Sequence, residues 1–273
     1  MFIPDPRKYW GNYAYSTAKK VIKEHQIKNI ITSSPPHSVQ LIGKRLKKKF
    51  PVRWIVDFRD LWTDIYYYEL LNHSKFSNYF DRKYEKQIIE NADHIVTASS
   101  VYVPFFNSKS DKIKLNKFTT IPNGFDAKDF KNYQLNQNKT FTLTYTGTIS
   151  DQYNITPFLD ALSQFKITYP EKAFCLQFVG SIFPNLKLEL ANKNLIDDTK
   201  FSPYVPHSES IDYLEKASVL LVFGPLNKHG KEGGIPAKVY EYLAARKPIL
   251  YVGKKDGFVA NIIHKTSSGL AHD

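Results

Sequence analysis

Lys238 and Glu241 lie three residues apart in EGGIPAKVYEYLAARKPIL (232–250), behind Glu232, Gly233, Gly234 and Pro236. Two glycines and a proline ahead of a helical pattern describe a helix with an open N-terminus. Proline lacks the N–H that would go unpaired in a first turn, and glycine lets main chain approach a ligand closely. The free N–H groups and the helix dipole favour an anion such as a diphosphate. At about 100° per residue, Lys238, Glu241 and Ala245 share one face, with Val239, Tyr240 and Leu243 on the core-facing side. Lys238 is then placed to neutralise phosphate, and Glu241 to accept two hydrogen bonds from a ribose diol. The same residues also fit a surface Lys–Glu pair on a capped helix, worth a few tenths of a kcal/mol.

Other stretches offer compatible chemistry. YTGTIS (145–150) reads as a strand ending in a small-residue turn, the position where an α/β domain cradles phosphate, with Gly147 the closest approach and Thr148 a donor. In SPYVPHSE (202–209), Tyr204 and Val205 offer a ring and backbone amides to a base, although a plain loop fits equally. In SSPPHS (33–38), His37 follows a strand at its ligand-binding end, where it is either a hydrogen-bonding group or merely exposed. In DFRDLW (57–62), Asp57 and Asp60 bracket Arg59. One carboxylate suits an acceptor base and Arg59 an anionic acceptor; a structural Arg–Asp pair fits as well. There is no Asp-x-Asp triplet and no Cys/His cluster, so no metal site is expected.

The elements that must hold these residues alternate. Strands are expected at 28–34, 52–58, 93–99 and 118–122, with helices at 38–50 and 76–92, and MFIPDP as a loop. Residues 123–140 are polar, carry Asn-Gly and read as a linker. The alternation then restarts, with strands at 141–147, 173–180, 199–205, 219–223 and 248–253 and a further one in GLAHD. Helices are expected at 155–169, 184–193, 208–217, 236–246 and 256–264. Alternation of this kind predicts parallel sheets with helices on both faces. The expected fold is α/β, with two Rossmann-like domains, residues 1–125 and 126–273, facing a cleft.

Composition narrows the setting. The chain has 273 residues, a net charge of +12 and one cysteine, Cys175. Residues 1–125 hold 21 Lys and Arg against 11 Asp and Glu, and residues 126–273 hold 17 against 15. The basic first half suits an anionic partner. GKRLKKKF (43–50) is its densest stretch, which fits peripheral contact with an anionic membrane or an ordinary amphipathic helix with basic flanks. No apolar run is long enough to span a bilayer, and no signal-peptide pattern opens the chain. One unpaired cysteine fits a cytoplasmic setting, with peripheral attachment at the inner membrane face. Nucleic acid is not expected, because no recognition motif accompanies the charge.

Taken together, YTGTIS, YVPHSESIDYLEKASVLLVF and GGIPAKVYEYLAARKPIL resemble, in order and spacing, the nucleotide-sugar domain of retaining GT-B glycosyltransferases of family 4 (glycosyltransferase group 1). TIPNGFD (120–126) resembles that family's interdomain crossing. DFRDLW and SSPPHS resemble a subgroup acting on lipid-linked precursors of bacterial polysaccharides. The resemblance implies a metal-independent transferase moving a sugar from a UDP- or GDP-sugar to a lipid-linked or polysaccharide acceptor, with no cofactor beyond the donor. It assigns Glu241 to the donor ribose, and Gly233, Gly234 and Lys238 to the diphosphate and sugar, with Glu232 also counted on the donor side. Gly147 and Thr148 would flank the phosphates, and Tyr204 and Val205 hold the base. His37, Asp57, Arg59 and Asp60 would line the acceptor side.

The sequence departs from the family pattern in several places. Gly233 stands where many members carry a first glutamate, with Glu232 one residue earlier, and GTISDQYN (147–154) lacks the usual Arg and Lys. The family's opening strand and returning C-terminal helix are not recognisable, so the N-terminal domain is expected to be incomplete. A GT-B sugar-nucleotide epimerase and a non-catalytic anion-binding module are the alternatives.

Overall fold

The computed structural model describes residues 3–130, 140–153, 155–225 and 234–273. The chain forms two compact units, Met1–Asn123 and Gly124–Asp273. In the first, four parallel strands, β1 (Asn29–Ser34), β2 (Arg53–Phe58), β3 (His94–Thr97) and β4 (Phe118–Thr120), pair in chain order. Helices α2 (Ser38–Lys49), α3 (Lys75–Asn91) and the short α4 (Val103–Asn107) alternate with them. Parallel crossovers are right-handed, so a sheet that grows in one direction only receives its crossover helices on one face. The burial pattern agrees. Trp54, Val56, Phe58 and Ile95 are sealed against Ile88, Ile89 and Phe106, whereas Ile31 on the opposite face is 68 % exposed. Helices on both faces, as the alternation predicts, are therefore not found among the described residues of this unit.

The second unit does have two covered faces. Its six parallel strands are β5 (Phe141–Thr146), β6 (Phe174–Val179), β7 (Thr199–Ser202), β8 (Val219–Phe223), β9 (Ile249–Val252) and β10 (Gly269–His272), in the order β10-β9-β8-β5-β6-β7. Helices α5 (Thr156–Thr168) and α6 (Leu186–Asn192) bury Leu159, Leu162, Leu186 and Leu190 on one face. Helices α7 (His207–Lys216), α8 (Ala237–Ala244) and α9 (Phe258–Thr266) bury Leu214, Val239, Tyr242 and Ile263 on the other. The strand order reverses between β5 and β8. This is the topological switch point, where open α/β sheets leave a crevice at the strands' carboxyl ends.

Capping fixes the helix starts nearest the candidate residues. The Asp5 carboxylate accepts hydrogen bonds from the Ser38 N–H (2.7 Å) and hydroxyl (2.9 Å), satisfying the N-terminus of α2 from outside the helix. Ser74 caps α3 by accepting from Ser77 N–H at 3.1 Å. A side chain at Gly43 would overlap Trp54, so α2 rests directly on the sheet there. Two helices lie outside the sequence expectation, the short α4 and α1 (Trp10–Glu24), which follows the expected loop and packs Ile22, Ala14, Tyr15 and Ala18 against Ile42 and Leu46 of α2.

Candidate functional site

A cavity of about 260 Å3 opens at the carboxyl ends of β5 and β6 in the second unit. Gly147 (φ +100°) and Gly180 (φ +122°), which end those strands, occupy backbone conformations that side-chain-bearing residues rarely adopt. Their turns are nested: Gly147 N–H donates to Val179 O at 2.7 Å, and a Cβ on Gly180 would sit 2.5 Å from Gly147 O. Bare main chain therefore forms this wall. Tyr145 holds the first turn by donating its hydroxyl hydrogen bond to Thr148 O at 2.8 Å.

Helix α8 supplies the charged wall. The Tyr242 hydroxyl accepts from Thr146 N–H at 3.0 Å and lies 3.1 Å from the Thr146 hydroxyl, fastening the helix to the end of β5. One turn earlier, the Lys238 amine donates to Thr146 O at 2.7 Å and stands 3.8 Å from the centroid of the Tyr145 ring. It also fills the space above Gly147, where a Cβ would lie 3.2 Å from it. Burial pulls its pKa down to about 7, against the opposing pull of the Glu241 charge. Glu241 is half-buried, and its Oε1 lies 4.0 Å from His207 Nδ1. The other nitrogen of His207 is 3.0 Å from Asp129 Oδ2, so the histidine bridges two carboxylates. Tyr204, 85 % exposed, and Val205 complete the rim.

Of the donor-side residues expected from sequence, the cavity gathers Gly147, Tyr204, Val205, Lys238 and Glu241. Thr148 is exposed and does not line it, and neither does Gly234. Glu232 and Gly233 lie outside the described residues. One expected face needs correction: Ala245 is fully buried with Val239 and Tyr242, not on the ligand side with Lys238. The regular helix stops at Ala244 and Arg246 turns left-handed (φ +52°), so straight helical projection fails at its last residue. Sequence reading also missed Gly180, His207 and Tyr242. A glycine closing a strand was a visible signal for the first; the other two become evident only once α7 and α8 flank β5.

The first unit collects a second polar group at the carboxyl ends of its own strands. Ser33 donates to Asp57 Oδ2 at 2.7 Å across the β1–β2 pair. Arg59 reaches Asp57 at 3.4 Å and Ile121 O at 3.0 Å, and also bonds the Asn123 side chain. Burial raises the Asp60 pKa despite Arg59 beside it, and burial together with the Asp60 charge raises that of Tyr67. His37 stacks flat on Trp62, with centroids 4.6 Å apart and planes 4° off parallel. Its Nδ1 is buried without a hydrogen-bond partner, and desolvation pushes its pKa down to about 4. The ring is neutral at pH 7. Thus Asp57 and Arg59 form a pair, while His37 sits in an aromatic slot. In residues 43–50, Leu46 is 4 % exposed and belongs to the core, so only the cations of that segment face outward.

Among the described residues, no three His, Cys, Asp or Glu side chains are grouped to hold a metal ion, and no helix is long and apolar enough to cross a membrane. No protein-family profile and no curated protein matches the sequence. Solved structures do match. Sucrose-phosphate synthase from Thermosynechococcus elongatus aligns with a TM-score of 0.71 at 18 % identity, over 98 % of this chain and 66 % of that one. HepE of Anabaena, solved in complex with UDP and glucose, aligns with a TM-score of 0.63 at 14 % identity, over 96 % and 68 %. WaaG, a glycosyltransferase involved in lipopolysaccharide biosynthesis, aligns with a TM-score of 0.55 at 12 % identity, over 86 % and 69 %. The chain spans about two thirds of the length of the structures it matches. At these identities the likeness shows the fold, which is the GT-B architecture of two Rossmann-like units.

Proposed function

We propose that this chain is a nucleotide-sugar-dependent glycosyltransferase that takes a UDP- or GDP-sugar and passes the sugar to a lipid-linked or polysaccharide acceptor. The observation that carries this reading is the cavity at the carboxyl ends of β5 and β6. There two nested glycine turns, a buried amine and a carboxylate converge within one helical turn of each other. A diphosphate lies against bare main chain at Gly147, and Lys238 leaves Thr146 O to meet it. Glu241, one turn on, takes the ribose diol, and Tyr204 and Val205 flank the base.

The chemistry follows from the charges. As the sugar–phosphate bond breaks, negative charge grows on the departing diphosphate. Lys238 and backbone N–H groups aimed at that charge stabilise it. In this reading the reaction retains anomeric configuration and needs no metal, because Lys238 supplies the neutralising charge. On the acceptor side, Asp57 or Asp60 takes the acceptor proton, Arg59 grips an anionic group, and neutral His37 offers a hydrogen bond. The matched structures support the reading: HepE was solved with UDP and glucose, and WaaG is described as a glycosyltransferase.

The test is a transfer assay with labelled UDP- and GDP-sugars and a bacterial lipid extract. Label appearing in lipid, and lost in Glu241→Ala, supports the reading. Epimerised donor without transfer points to an epimerase instead, and absence of any nucleotide-sugar binding defeats the reading altogether.

A further inference from the structure

The outward face of α1 is the opposite of what a free helix surface normally shows. Its inward side carries Gly11, Ala14, Tyr15, Ala18 and Ile22 against α2. On the other side, Trp10, Tyr13, Lys20 and Val21 project together at helical spacing. Trp10 is 56 % exposed and Tyr13 73 %, whereas the remaining tryptophans, Trp54 and Trp62, are buried. Large rings held in water at neighbouring positions mark a contact surface.

Cations flank these rings. Between residues 1 and 28 there are six Lys and Arg against two Asp and Glu. Arg45 of α2 stacks on Tyr15 at 4.0 Å and donates to Asn12 Oδ1 at 2.9 Å, which brings the basic end of α2 alongside α1. Lys48 and Lys49, one turn beyond Arg45, extend that side. Among the described residues, no carboxylate lies within ion-pair distance of Lys20, Lys23, Lys48 or Lys49.

We propose that this face of α1, with Trp10 and Tyr13 as anchors and Lys20, Lys23, Lys48 and Lys49 around them, docks the chain on an anionic lipid bilayer. Charge complementarity and ring chemistry select that partner. Tyr and Trp have apolar bodies and polar tips that suit the headgroup level. Lysines on long stems reach phosphates beside them. A helix with rings on one flank and cations on the other lies in the interface plane rather than crossing it. Single-stranded nucleic acid also takes rings and cations, but it is bound in a groove that tracks its backbone, and a helix presents a convex surface. The inference is independent of the donor-site reading, because docking needs neither nucleotide nor acceptor.

Trp10 makes the test direct, since it is the exposed tryptophan of three. The full chain is mixed with phosphatidylcholine vesicles with or without phosphatidylglycerol, and tryptophan emission and co-sedimentation are read. With anionic vesicles the emission shifts to the blue, is quenched by brominated acyl chains, and the shift is absent in Trp10→Phe. Lys20→Gln and Lys23→Gln each weaken partitioning about fivefold, and Tyr13→Ala weakens it too, with circular dichroism and melting unchanged. No shift with anionic vesicles overturns the proposal. So does partitioning that ignores Tyr13→Ala and both lysine changes, or an emission shift produced by polyuridylate and not by vesicles.

Discussion

The amine of Lys238 stands 3.8 Å from the centre of the Tyr145 ring while donating to the Thr146 carbonyl. Ring and carbonyl together give a cation a place to rest, but burial still lowers its pKa to about 7. An arriving diphosphate reverses that balance, because negative charge beside the amine raises its pKa. Binding of UDP is therefore expected to take up close to one proton at pH 8 and very little at pH 6. Calorimetry in buffers of different ionisation enthalpy measures this, and Lys238→Gln abolishes the uptake while weakening UDP at least tenfold, in line with losing one partner of a buried charge pair.

The same amine costs stability. Its folded pKa, about 7, lies below the ordinary value of 10.5, so between those values the unfolded chain holds a proton that the native chain does not. Stability of the second unit therefore rises with pH through that window, and the penalty for a charged buried amine is carried in full below about 7. Lys238→Met is expected to stabilise the unit at pH 6 by on the order of 2 kcal/mol while losing UDP binding. Urea unfolding at pH 6 and pH 9 reads the difference, which should shrink at the higher pH.

Gly180 tests the backbone wall. Alanine there meets Gly147 O at 2.5 Å and strains a φ of +122°. Gly180→Ala should cost about 2–4 kcal/mol and distort the turn that receives phosphate. Gly124→Ala, whose Cβ meets nothing within 4 Å, is the matched control and should leave thermal stability unchanged.

Much of this was legible from residue type and spacing. Strand-and-helix alternation placed β1–β10, and the EGGIPAKVYEYL pattern placed Lys238 and Glu241 on the side of α8 that faces the cavity. What stayed hidden depends on contacts far apart in the chain. Tyr242 turns inward because Thr146, 96 residues away, offers it an N–H and a hydroxyl. His207 gains its place between Asp129 and Glu241 only when α7 packs beside α8. Helix α1 escaped because its exposed rings blur the apolar stripe by which a surface helix is recognised. The one-faced first sheet follows from strand order, which alternation alone does not reveal.

His37 gives the first unit its own pH signature. Its folded pKa of about 4 lies below the ordinary 6.5, so between these values the unfolded chain binds a proton that the native chain refuses. The contribution is complete above about 6.5 and is lost as pH falls towards 4. His37→Phe, which preserves the stack on Trp62, should remove about 3 kcal/mol of this acid sensitivity. The difference between wild type and variant, read as urea midpoints from pH 7 to pH 4, isolates it from the titration of Asp60.

The central claim is that Glu241 and the turns beside it hold a nucleoside diphosphate, and isothermal titration of UDP and GDP tests it most directly. One of the two should bind at a single site, Glu241→Ala should weaken it at least tenfold by removing the ribose acceptor, and inorganic pyrophosphate should bind wild type and variant alike. Unchanged nucleotide affinity in Glu241→Ala, or no binding of either nucleotide to the wild-type chain, would contradict the account.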